Sequence, residues 1–181
     1  EQALWDLLGK SLQAPVHALL GGACRDDIRV YANINRANRD DRSPEAYARK
    51  AAAAVRDGFD AVKVGVFDEL PRSIECADDA RAGIDCLRAV REAIGPDIRL
   101  MLDANNAWRD LPTAMDYIAR FEQFSPFWIE EPFLPDDIDN HVRLAQKTRM
   151  TVATGEIEAG RWPVGGRFPT EADLQARFGA G

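Results

Sequence analysis

Short apolar runs alternate with amphipathic stretches along most of this chain. IRVYANI (28–34), FDAVKVGVF (59–67), 98–103, 127–130 and 151–155 each read as a strand. Between them lie helical patterns. Ser43 has the character of an N-cap, with Pro44 at the first helical position, and opens an Ala-rich helix that stops at Gly58. A second helix is expected over about 80–94, with Ile84, Leu87, Val90 and Ala93 in one stripe and Gly95-Pro96 as its stop. Met115, Ile118 and Phe121 mark a third over about 112–124, and Ile138, Val142 and Ala145 a fourth over about 137–148. Five strands separated by four helices predict an α/β fold with a parallel sheet. An eight-unit βα-barrel takes about 250 residues, so 181 residues hold little more than half of one.

Three regions flank or interrupt this alternation. Residues 3–20 show helical spacing (Ala3, Leu4, Leu7, Leu8), continue through PVHALL and stop at Gly21-Gly22. The polar stretch 68–79 is longer than an ordinary βα loop and is expected to influence substrate choice at the barrel rim. Residues 163–181, rich in Gly, Pro and Arg without apolar period, are expected to be a poorly ordered tail. The organisation expected is a lead-in region over 1–27, barrel units over 28–162 and a divergent tail over 163–181.

Three of the strands end in acid. Asp103 closes IRLMLD, Glu130 closes PFWIE, and Glu156 follows TVATG, at spacings of 27 and 26 residues. That is about one strand-plus-helix unit, so parallel strands would bring all three carboxylates to the C-terminal rim, where βα-barrels build their active sites. One such acid alone reads equally well as a cap for the next helix. Three at one height, all oxygen donors, suit a hard divalent cation: Mg²⁺, with Mn²⁺ as the alternative.

Composition narrows the classes of partner. The net charge is −7, and the 23 basic residues are scattered, which argues against nucleic acid. No apolar run approaches the roughly 20 residues of a spanning helix, and no membrane partner is expected. EQALWDLLGK has neither a basic n-region nor a long apolar core, so it does not read as a signal peptide. Cys24, Cys76 and Cys86 lack a C-x-x-C pair, which fits reduced thiols in a cytoplasmic protein better than a disulfide or zinc framework. His17 and His141, the two histidines, read as structural.

Six strings in order, ALWDLLGK…PVHALLGG (3–22), RVYAN (29–33), GFDAVKVG (58–65), LMLDANNAW (100–108), WIEEP (128–132) and ATGE (153–156), resemble the mandelate racemase and muconate-lactonising branch of the enolase superfamily. The resemblance covers residues 1–162. It implies a capped (β/α)7β barrel of TIM type, Mg²⁺ held by Asp103, Glu130 and Glu156, and removal of a proton α to a substrate carboxylate. Sites of this superfamily pair a Lys or His base with Mg²⁺ against an ene-diolate. Lys63 is then the candidate catalytic residue. Aligned without a gap on GF-x-AVK, it matches the first Lys of a K-x-K pair, neutralises the substrate carboxylate and leaves Gly65 at the second position. Aligned instead on K-V-G, it becomes the proton-transfer base. A surface lysine with a snorkelling stem is the bland alternative. Asn105 resembles a position that binds substrate or supports the metal, and also suits an Asx-type turn. Glu131 reads as a supporting or helix-capping residue, with a metal ligand as the alternative.

These resemblances imply an acid-sugar dehydratase or a racemase, with a cycloisomerase as a further possibility, acting on a small carboxylate or acid-sugar substrate. The parent protein is expected to be a homo-oligomer. The pattern departs from the family after Trp162, so the chain is expected to be a fragment, as from a truncated or frameshifted gene. The competing class is a non-catalytic half-barrel remnant that folds poorly or binds metal without turnover, and in either case the isolated chain is expected to aggregate, or to pair with another half-barrel, through unpaired sheet edges.

Overall fold

The computed structural model describes residues 1–35, 40–67 and 80–156. The chain divides into two compact units, Glu1–Val30 and Tyr31–Gly181. The loop expected to tune substrate choice (68–79), Cys76 and the tail at 163–181 lie outside the described residues.

The first unit holds two helices, α1 (Gln2–Leu12) and α2 (Val16–Leu19). The sequence pattern reads as one apolar run over 3–20, but the chain turns between them. Gln13 adopts a left-handed conformation (φ 52°) and Pro15 stands at the N-cap of α2. Gly9 permits the reversal. The Ala14 N–H donates to the Gly9 carbonyl at 2.9 Å, and a Cβ on Gly9 would lie 2.8 Å from the Ala14 oxygen.

The second unit is a five-stranded parallel sheet whose spatial order follows the chain, β1 to β5, as in successive units of a βα-barrel. The strands are β1 (Ala32–Asn33), β2 (Ala61–Val64), β3 (Arg99–Asp103), β4 (Trp128–Glu130) and β5 (Thr151–Ala153). Helices α3 (Pro44–Arg56), α4 (Arg81–Ile94), α5 (Leu111–Phe121) and α6 (Ile138–Lys147) connect them. The α/β class and the alternation expected from the sequence are observed. The first strand is much shorter than IRVYANI suggests, because only Ala32 and Asn33 find ladder partners, in Val62 and Lys63. Residues 28–30 belong to the other compact unit. β-propensity without a neighbouring strand makes no ladder.

Helix starts are set locally. Ser43 Oγ accepts from the Ala46 N–H (3.2 Å), Asp110 Oδ1 from Thr113 (2.9 Å) and Asp137 Oδ1 from Asn140 (3.3 Å). One face of the strands (Val62, Val64, Leu100, Leu102, Ile129) packs in a single core with Leu87, Val90, Ile118 and Phe121 of the helices. Phe67, Trp108, Tyr117 and Phe121 fill the upper part of that core with edge-on and stacked ring pairs at 5.3 to 6.3 Å.

Arg91, near the end of α4, pins the lower ends of the central strands. Its guanidinium donates to the carbonyls of Gly95, Ile98 and Phe124 at 2.8, 2.8 and 2.9 Å. These carbonyls precede β3 and β4, so one side chain helps set the heights at which both strands finish. Strand alternation then turns Lys63, Met101, Asp103, Trp128 and Glu130 to the face opposite the helix core.

Candidate metal centre

Asp103 and Glu130 are the last residues of β3 and β4 and stand opposite one another in the ladder. Glu156 lies just beyond β5. One carboxylate oxygen from each of these three residues comes within 4.8 Å of the others. The common height follows from the parallel register, and the spacing of one βα unit follows from the chain.

Lys63 reaches the same place from β2. It is 4% exposed, and an isolated ammonium there would be strongly disfavoured. Its Nζ donates to Glu130 Oε1 in a short contact and lies 3.3 Å from Asp103 Oδ2. The ammonium is also 5.4 Å from the centre of the Tyr31 ring. Burial by itself lowers the Lys63 pKa. The Glu130 hydrogen bond and the charges of Asp103 and Glu130 outweigh it, and the group is held well above its ordinary value. Lys63 is therefore a cation throughout the neutral range.

The carboxylates have further partners. Trp128 Nε1 donates to Glu130 Oε2 at 3.2 Å, and the Asn105 backbone N–H donates to Asp103 Oδ1 at 3.0 Å. Asn105 itself is exposed, with φ 47°. It thus takes part in the Asx-type turn that its sequence also suggested, and it orients Asp103 through the main chain.

Parallel pairing continues above the strands. The N–H groups of Ala104, Asn106 and Trp108 donate to the carbonyls of Glu130, Glu131 and Pro132 at 2.8, 2.7 and 3.2 Å, and the Glu131 N–H donates to Ala153 at 2.9 Å. Asn105, Asn106 and Glu131 all have positive φ, which is costly for residues with a side chain. The loops that carry the acids are therefore tied together rather than free-standing.

Two features were only partly legible in the sequence. Glu131, read there as a supporting or helix-capping residue, is buried, and among the described residues its carboxylate accepts from the turn at 154–156. The available signal was the period of two, which turns Glu130 and Glu131 to opposite faces. The second feature lies at Gly65, where the resemblance would allow a second lysine. Asn35 Oδ1 accepts the Gly65 N–H in a short contact, and the Tyr47 hydroxyl donates to the Gly65 carbonyl at 3.0 Å. A Cβ on Gly65 would lie 2.9 Å from Asn35 Nδ2. The place of a side chain there is taken by Asn35, which comes from β1's end and 30 residues away.

The donor set fits Mg²⁺ or Mn²⁺. All three groups are carboxylates, the ligand type that such hard ions take. An ammonium already sits between two of them, which shows that the position favours positive charge.

A family model described as enolase C-terminal domain-like matches residues 46–165. The chain is 33% identical over 156 residues to D-gluconate dehydratase of Thermoproteus tenax, an alignment that covers 86% of this chain and 31% of that enzyme. It is 36% identical over 167 residues to D-galactarolactone cycloisomerase of Agrobacterium fabrum, covering 88% and 39%. The crystal structure of a member of the enolase superfamily from Salmonella Typhimurium superposes with a TM-score of 0.74 at 30% identity, covering 85% of this chain and 43% of that one. The chain thus spans well under half the length of the curated relatives it matches. With the parallel sheet, the acids at the strand ends and this match over most of its length, the chain belongs to the enolase superfamily, within its C-terminal barrel-type domain.

Proposed function

We propose that the protein is a Mg²⁺-dependent acid-sugar dehydratase in which Asp103, Glu130 and Glu156 hold the metal. The observation that carries this reading is the meeting of three carboxylates with the buried ammonium of Lys63 at the strand ends. Relatives that are acid-sugar dehydratases support the substrate class.

The chemistry demands concentrated positive charge. A proton α to a carboxylate is very weakly acidic, and its removal leaves an ene-diolate with two negative charges. Mg²⁺ supplies most of the compensating charge when bound. Lys63 supplies more. Its ammonium lies against Asp103 and Glu130 and can turn part of its hydrogen bonding to the substrate carboxylate, as its match to the first lysine of the pair suggests. Asn105, exposed beside Asp103, would donate to a substrate hydroxyl or carboxylate. The α-proton passes to a base outside the described residues, since Lys63 is already protonated; the electron pair of that C–H bond then expels the β-hydroxyl, which takes up a proton and departs as water. The resulting enol tautomerises to a 2-keto-3-deoxy acid.

Gly65 favours the dehydratase over the racemase. Inverting a centre by proton exchange takes a proton-transfer group on each side of the α-carbon. At Gly65 there is no side chain, and Asn35 fills the space. A cycloisomerase is the second reading, supported by the D-galactarolactone relative.

Incubation with a panel of acid sugars in ²H₂O and Mg²⁺ tests these readings. A 2-keto-3-deoxy product supports the dehydratase. Exchange of the α-proton without loss of water favours a racemase, and lactone opening favours the cycloisomerase. Metal binding with no turnover of any acid sugar would leave the non-catalytic remnant standing.

A further inference from the structure

Glu131 is a buried carboxylate, 2% exposed, for which the described residues offer donors from one short turn. Its Oε1 accepts the backbone N–H groups of Gly155 (2.6 Å) and Glu156 (2.8 Å), and its Oε2 accepts the Thr154 hydroxyl (3.2 Å). Glu131 is itself fixed at both ends. Its N–H donates to Ala153 and its carbonyl accepts from Asn106, while its φ of 44° gives up an ordinary backbone conformation to aim the side chain at the turn.

Glu156 is exposed, and its backbone is gripped at the N–H by Glu131. The residue whose carboxylate comes near Asp103 and Glu130 is thus bonded, through its backbone, to one that is not itself in the three-carboxylate group. We propose that Glu131 is a positioning residue for Glu156: it holds the 154–156 turn so that Glu156 completes the cation site, and its reach rather than its charge sets the cation affinity. This rests on the reading of Asp103, Glu130 and Glu156 as a cation site.

Reach and charge are separable by substitution. In Glu131→Gln the amide oxygen still accepts the Gly155 and Glu156 N–H groups, and the amide nitrogen can donate to the Thr154 oxygen. In Glu131→Asp the charge stays, but the side chain is one methylene short. Mn²⁺ affinity by titration calorimetry and exchange of the Gly155 and Glu156 amides by NMR read the two consequences. Outer-sphere partners commonly change metal affinity about 10–100-fold. The expected result is that E131Q binds Mn²⁺ within a few-fold of the native protein, while E131D loses about tenfold or more and its two amides exchange faster. E131D added to Glu156→Gln should weaken binding no further than E156Q alone. E131D binding as well as native, or better than E131Q, would overturn the proposal, as would full additivity with E156Q. If the native protein binds no Mn²⁺ but its amides are protected in E131Q and exposed in E131D, the cation reading falls and the hold of Glu131 on the turn stands. Because E131D and E131Q both keep a polar group in the buried site, neither depends on tolerating an empty cavity.

Discussion

Replacing Lys63 with Met tests the electrostatics of the centre most directly. The thioether keeps much of the stem's volume and removes the ammonium. What is left is Asp103 opposite Glu130 in the ladder, with side chains only 12% and 13% exposed and their shared cation gone. Breaking a buried ion pair by removing one partner costs about 3–5 kcal/mol. The rim gives the carboxylates some access to water, so the lower figure applies, about 3 kcal/mol. For a domain of this size each kcal/mol moves Tm by about 2–4 °C, which gives a fall of about 6–12 °C in EDTA. Magnesium should reverse most of it. At 100 times its Kd, a ligand that binds only the folded state contributes about 2.7 kcal/mol. Differential scanning fluorimetry of native and K63M protein, with EDTA and then with a Mg²⁺ series, measures both numbers. The Mg²⁺ shift should be larger in K63M, where no ammonium competes for the two carboxylates. An unchanged Tm in EDTA would show that the ammonium contributes nothing. A large fall that Mg²⁺ fails to repair would refute the cation site.

Other measurements bear on the same structure. The Lys63 pKa is raised in the folded state, so its contribution is complete below the unfolded value of about 10.4 and is lost only as pH rises through the higher folded value; the stability gap between native protein and K63M should stay constant from about pH 7 to 10, and urea melts that show it shrinking over that span would contradict the pairing. Asp103→Ala should abolish Mg²⁺ or Mn²⁺ binding in calorimetry, and unchanged binding would remove Asp103 from the site. Gly65→Ala drives a Cβ against Asn35 and should cost about 1–3 kcal/mol, with most of the loss recovered in G65A/N35A; equal losses in the single and double variants would mean that Asn35 does not fill that space. Ser43→Ala and Asp110→Ala each remove a helix N-cap and should cost about 1 kcal/mol in chemical denaturation, an effect absent if water replaces the cap fully.

The chain's own order of residues decided whatever depends on near neighbours. Ser43 before Pro44 starts a helix because its hydroxyl serves an N–H three residues on. Apolar period separates strands from helices, and a repeat of one βα unit between Asp103, Glu130 and Glu156 carries each to the same edge of a parallel sheet. Those are local rules, and they apply to a single strand or helix read alone. Where local rules met distant partners they were insufficient: IRVYANI has every mark of a strand, yet only two of its residues have a ladder to join. The same holds for the chemistry. That Lys63 is a buried cation between two acids depends on Glu130, 67 residues away. That Gly65 is closed to a side chain depends on Asn35, and that Glu131 holds Glu156 depends on a turn 24 and 25 residues further on. Such contacts arise only when the strands settle into register, because hydrogen bonds and charges act over a few ångströms and only the folded sheet brings these groups that close.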